Sequence, residues 1–320
     1  MRYLFAFLAV LMIAMLPAGT YAQEPSEGTV SGQVINGTVD GGDVGGVQVS
    51  LITYVEGQLA GTVAITSDAD GYFQFNDVSL DNSYLVSAKY LDVDYYYPVV
   101  FESGETMAYV EVGVCDTTGS DEYIMVGLTR KIINIDDEGL LVTEVYWLVN
   151  DGDRTYVGAD GVLFFTLPEG VCCFEAPEEL LVDFRLLDDS RLTYLVPFPP
   201  GERQLIYTYR LDRPDSRELD IVLPVDYPTD AYELMVAGGD IEVTVSQLAP
   251  VEPVVTESGE QYIYFQGNGF SPGEAVNVRL TGFSGSGGYP SYVQWVLIAV
   301  AVVAIVVYMI RRTRKTNSNG

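Results

Sequence analysis

Between its two ends this chain shows no sustained apolar spacing of three and four, and that constrains its fold more than any single motif. Instead, short runs rich in Val, Ile, Tyr, Phe and Thr alternate with clusters of Gly, Asp, Asn and Pro. The segment RQLIYTYRL, residues 203–211, gives the period plainly. Leu205, Tyr207, Tyr209 and Leu211 fall on one side of an extended chain, and Ile206, Thr208 and Arg210 on the other. Many short strands punctuated by turn residues predict an all-β protein built from two or more β-sandwiches rather than an α/β enzyme.

The two ends read differently. Residues 1–22 have the build of a secretory signal: Arg2, an apolar stretch from Leu4 to Leu16, and the small-residue site Thr20-Tyr21-Ala22. Val293 to Ile310 is apolar apart from Gln294. At about 1.5 Å per residue it reaches the thickness of a bilayer's hydrocarbon core. Tyr289, Tyr292, Trp295 and Tyr308 crowd its boundaries, and Arg311, Arg312, Arg314 and Lys315 follow at once. This pattern predicts a single transmembrane helix over 291–310 in the lipid bilayer of the cell membrane, with the N-terminus outside and residues 311–320 as a basic cytoplasmic tail.

Charge follows the same division. All 45 acidic residues and only 11 of the 16 basic ones fall in the exterior part. A body this acidic repels nucleic acid, so no nucleic-acid partner is expected. Histidine is absent, which removes His-dependent triads and metalloprotease motifs. Neither a G-x-S-x-G elbow nor a phosphate-binding G-x-x-x-x-G-K is present. A glycosidase built on a carboxylate pair is the one hydrolytic mechanism the composition leaves open. The expectation is a non-catalytic protein without a cofactor. Of the cysteines, Cys172 and Cys173 are adjacent and should point to opposite faces of a strand, so a bridge would have to join Cys115 to one of them. Lys89 and Lys131 are the two exterior lysines. Lys89 sits mid-domain, whereas a Lys–Asn crosslink of the surface β-domain kind needs a lysine on the first strand, and exposed strand lysines are expected instead.

The predicted organisation is a first sandwich over 23–127 and a second over 128–248. Further strands and a Gly/Ser-rich stalk occupy 249–290, where APVEPVV reads as a proline-rich joint. Within the first sandwich, TSDADGYFQF (66–75) raises the question of a cation site. An EF-hand register with Gly71 at its sixth position places Asp68 and Asp70 correctly, but puts Thr66 first and Asp77 last, so the first acid and the bidentate glutamate are missing. Asp70-Gly71 between alternating apolar runs is instead a hairpin signal. Asp68 and Asp70 stay as weak candidates for a metal.

The same region carries a resemblance. Gly32-Gln33-Val34, Gly46-Val47-Gln48-Val49, Ser67 to Phe75 and Tyr84-Leu85-Val86 follow the pattern of a carboxypeptidase regulatory-like domain of the transthyretin-like sandwich type. The pattern covers about 80 residues, and DNS (81–83) replaces its usual P-x-G turn. The resemblance implies an accessory, non-catalytic domain of a kind also found in membrane-anchored ectodomains and in subunits of membrane-protein assembly complexes. For ligand contact the residues singled out are Tyr95, Tyr96 and Tyr97, which sit beside Asp92 and Asp94 and suit a carbohydrate or protein partner outside the cytoplasm. The function expected is surface adhesion or binding by the ectodomain, with service as an accessory subunit of a membrane complex as the alternative.

Overall fold

The computed structural model describes residues 27–282 apart from 137, 189, 213–217, 238–240 and 257–258. The signal segment, the 291–310 span and the basic tail lie outside the described residues. No helix among the described residues is long and apolar enough to cross a membrane. Among the described residues the chain is all-β, with one four-residue helical turn. It divides into two compact units between Val114 and Cys115.

The first unit has seven strands: β1 (Glu27–Asn36), β2 (Gln48–Val55), β3 (Gln58–Thr66), β4 (Tyr72–Ser79), β5 (Ser83–Tyr90), β6 (Val93–Val99) and β7 (Met107–Val114). They form two sheets, in the orders β4-β1-β7 and β3-β2-β5-β6, with β1 and β7 parallel and all other pairs antiparallel. Alternation sets the inward faces. Val30, Val34, Phe73, Phe75, Val110 and Val112 are buried from the first sheet, and Val49, Leu51, Tyr84, Val86 and Tyr95 from the second. Gly32 is required on the inward face of β1. A Cβ there would stand 2.0 Å from the Val110 carbonyl oxygen and 2.5 Å from the Phe73 ring.

The turn at 66–72 is real, but it does not make a hairpin. Strand β3 pairs with β2 and strand β4 pairs with β1, so the turn carries the chain from one sheet to the other. The Asp68 Oδ1 accepts the amide hydrogens of Asp70 (3.0 Å) and Tyr72 (2.8 Å), and Gly71 has φ +86°. Local chemistry fixes the bend; the partner of each strand is decided by which apolar face it can bury.

The second unit runs through β8 (Thr117–Thr118), β9 (Ile124–Asp136), β10 (Gly139–Asn150), β11 (Thr155–Tyr156), β12 (Leu163–Thr166), β13 (Val171–Glu175), α1 (Glu178–Leu181), β14 (Phe184–Asp188), β15 (Arg191–Tyr194) and β16 (Gly201–Leu211). It continues with β17 (Glu218–Pro224), β18 (Thr229–Ala237), β19 (Glu242–Val245), β20 (Ala249–Val255), β21 (Gln261–Phe270) and β22 (Ala275–Thr281). A seven-stranded sheet, β13-β16-β10-β9-β18-β21-β20, shares one apolar core with two three-stranded sheets, β12-β15-β14 and β17-β22-β19. The proline-rich joint is therefore an edge strand. Pro250 and Pro253 are tolerated in β20 because it pairs on one side only and its register breaks between Val251 and Val254. Positions 127 and 128 lie inside the continuous strand β9, and the strands after residue 249 complete the second unit's sheets.

Candidate binding face and buried charge cluster

The sequence-selected tyrosines are not brought together. Tyr95 is buried, and Tyr97 is half-buried and donates its hydroxyl to the Gly113 carbonyl at 2.9 Å. Tyr96, on the opposite face of β6, is exposed. Asp68 and Asp70 sit on the turn, where the Asp68 carboxylate is occupied by backbone amides and the Asp70 carbonyl accepts from Gln33 Nε2 at 2.9 Å. Among the described residues no group of three or more His, Cys, Asp or Glu is placed to hold a metal ion.

A different aromatic pair is presented. On the outer face of β4-β1-β7 the register sets Tyr72 beside Gln33 and Glu111, and Tyr109 beside Ser31 and Gln74. Tyr72 is 50% exposed and Tyr109 60% exposed. They lie two strands apart and two residues out of step along β1, which places their Cα atoms about 12 Å apart. Two rings thus flank a strip of amide, hydroxyl and carboxylate groups. The described part of this unit carries thirteen carboxylates against Lys89 alone, yet Glu111 is the one acid within the strip. Aromatic rings with an apolar face and a polar tip suit partners that are themselves two-faced. The signal was in the sequence: Phe73 and Phe75 point inward, so Tyr72 must share the outward phase of Gln74.

Both units also have open depressions. One in the first unit, of about 450 Å³, lies between β3 and β4 over Leu51, Val63, Ile65, Phe75 and Val78. One in the second, of about 550 Å³, is lined in part by Leu167, Glu169, Leu211 and Asp220.

The strongest electrostatic feature lies elsewhere. Lys131 on β9 and Glu144 on β10 are direct register partners, and both are buried, at 1% and 0% exposure. Lysine 131 is thus a core residue, contrary to the exposed position read from sequence, because it shares the inward phase of Thr129 and Ile133. Its Nζ stands 2.9 Å from Glu144 Oε1. The other donors to this carboxylate are three tyrosine hydroxyls: Tyr146 (2.6 Å) and Tyr207 (2.9 Å) to Oε2, and Tyr209 (2.7 Å) to Oε1. Burial alone pushes the Glu144 carboxyl up, but the Lys131 ammonium and the Tyr146 and Tyr209 hydroxyls outweigh it and hold the carboxyl below its ordinary value. Burial, with the Glu144 charge added, drives all three tyrosines well above theirs, so they stay protonated and donate. Perturbed groups of this kind often mark active sites. Here the adjoining cavity is about 10 Å³, far too small for a substrate. The cluster is chemically a buried strut: one carboxylate joining three strands of the sheet.

No family model matches the chain, and no curated protein matches it. Among solved structures, the major pilin SpaD of Corynebacterium diphtheriae is similar at 11% identity, covering 80% of this chain and 82% of that one, with a TM-score of 0.26. A candidate cell adhesion protein of Bacteroides eggerthii is similar at 12% identity, over 79% and 99%, with a TM-score of 0.22. A candidate protease of Parabacteroides distasonis is similar at 10% identity and a TM-score of 0.33, over 51% of this chain; the match spans 41% of that protein's length. At these scores none of the likenesses bears on what this chain does.

Proposed function

We propose that this chain is a non-catalytic surface binding module: exported by residues 1–22, held in the bilayer by 291–310, and contacting carbohydrate through the outer face of β4-β1-β7. The observation that carries this reading is the pair Tyr72 and Tyr109, both exposed on one sheet face with Ser31, Gln33, Gln74 and Glu111 between and beside them. Sugar rings offer C–H faces that stack on aromatic rings and hydroxyls that both donate and accept. Amide, hydroxyl and carboxylate side chains match those hydroxyls. The separation of the rings suits an oligosaccharide rather than a single sugar. The two-sheet arrangement of the first unit and the steric need for Gly32 support its resemblance to a carboxypeptidase regulatory-like domain. Non-catalytic action is supported by the burial of Glu144 beside a cavity of only about 10 Å³.

The test is a glycan array probed with the full chain in detergent micelles, beside Y72A and Y109A. Binding that drops at least tenfold in either variant, with Y96A unaffected, supports the reading. Binding that survives both variants, or no glycan bound at all, sinks it. Protease treatment of intact cells checks the topology: Arg311 and Arg312 should stay uncut while the 27–282 body is digested.

A further inference from the structure

Strand neighbours point to opposite faces, so adjacent cysteines are normally kept apart. At β13 they are not. Cys173 has φ +54°, a backbone region that side chains other than Asn, Asp and Gly seldom occupy. The register between β13 and β16 also slips between Cys172 and Glu175, so the strand bulges there. Together the bulge and the left-handed residue swing both side chains to one side, and the two Sγ atoms stand 3.1 Å apart. β13 is an edge strand of the seven-stranded sheet, Cys173 is exposed, and Cys172 is half-buried. No disulfide joins Cys172 to Cys173.

We propose that Cys172 and Cys173 are a redox pair, closing to a vicinal disulfide on meeting a low-molecular-weight disulfide oxidant and reopening with a dithiol reductant. The step needs the sulfurs to approach by about 1 Å, to a bond of about 2.05 Å. Of the two sulfurs, that of Cys173 is the exposed one and so the one an oxidant in solution can reach. Cys173 loses its proton and, as the thiolate, attacks the oxidant RSSR, forming a mixed disulfide and releasing RS⁻, which takes up that proton. Cys172 then loses its proton and attacks the Cys173 sulfur; the second RS⁻ leaves and takes up a proton. The net change is one protein dithiol and one RSSR to one protein disulfide and two RSH. Closure withdraws the chain's most exposed thiol from exchange with other proteins, which suits an edge strand outside the reducing cytoplasm.

Cleavage after Arg154 and Arg185 gives a tryptic peptide, Thr155–Arg185, that holds both cysteines and not Cys115. The full chain, reduced in micelles and then treated with oxidised glutathione, is alkylated with iodoacetamide and digested without reductant. The expected result is a peptide lighter by two hydrogens, with loss of both alkylation labels, and recovery of both labels after dithiothreitol. In C172S, which removes the resolving thiol, Cys173 should instead carry glutathione. Glutathione retained on the wild-type peptide, a cross-link to Cys115, or two labels after oxidation would each overturn the proposal.

Discussion

Replacing Lys131 by Met is the sharpest probe of the buried cluster. The substitution keeps the volume of the stem and removes the one cation beside Glu144, which is wholly buried and has three hydroxyl donors left. Removing one partner of a buried pair strands the other charge, at a cost of about 3–5 kcal/mol. The tyrosine hydroxyls keep their bonds to the charged oxygens, so K131M should fall at the lower end, about 3 kcal/mol. Glu144→Leu should cost more. It strands a buried ammonium and leaves the Tyr146, Tyr207 and Tyr209 hydroxyls without their acceptor, each worth about 1–3 kcal/mol. In K131M/E144Q a neutral amide oxygen still accepts from the hydroxyls and no charge remains, so this double variant should recover most of the K131M loss. The expected order is wild type, K131M/E144Q, K131M, E144L. Urea unfolding read by Trp147 fluorescence in a Trp295→Phe background measures it. With a urea slope of about 1–3 kcal/mol per molar, the K131M midpoint should drop by about 1–3 M. A K131M loss below about 1 kcal/mol, or a double variant less stable than K131M, would refute the claim that this charge pair is held by mutual compensation.

Acid should act on the same site. Because the folded Glu144 carboxyl is held below its unfolded value of about 4.3, its contribution is complete above that pH and is lost as pH falls through the depressed folded value. Thermal melts of the second unit should therefore steepen in pH dependence below about pH 4.3, and E144Q should flatten that slope; equal slopes would remove Glu144 as the cause. Gly32→Ala should cost the first unit at least about 2 kcal/mol through overpacking against Val110 and Phe73, seen as lost hydrogen-exchange protection in β1 and β7. Asp68→Ala should cost about 1 kcal/mol by freeing the Asp70 and Tyr72 amides, while Asp68→Asn, which keeps an acceptor, should cost a few tenths. A melting temperature raised by calcium in the wild type but not in D68N would restore the cation reading of that turn.

The strand periods were legible because alternation is local. Leu205, Tyr207, Tyr209 and Leu211 are all buried, as their spacing implies. The outward phase of Tyr72 could be read in the same way. Partners could not. Asp70-Gly71 fixes a turn but carries no information on whether β4 returns to β3 or crosses to β1. Lys131 and Glu144 each stand in the apolar phase of a strand, an available sign of a buried pair. Knowing that they meet, and that Tyr207 arrives at Glu144 from 63 residues away, needs the register of β9, β10 and β16. Cys172 and Cys173 defeated the alternation rule for a related reason: a bulge is set by the neighbouring strand, not by the residues that bulge. Pro250 and Pro253 misled because a proline-rich segment is equally at home in a linker and on a sheet edge.

The place of β22 has a consequence for how the chain is made. It is the middle strand of β17-β22-β19, hydrogen-bonded on both sides, and it ends at Thr281. A chain emerging N-terminus first therefore carries β17 and β19 with no common neighbour until residue 281 has emerged. In an exported chain this is only about ten residues before the span beginning at 291 would stop translocation. On the proposed topology the second unit would close only at the end of delivery, and a product cut short before Ala275 would leave β17 and β19 without the strand that joins them.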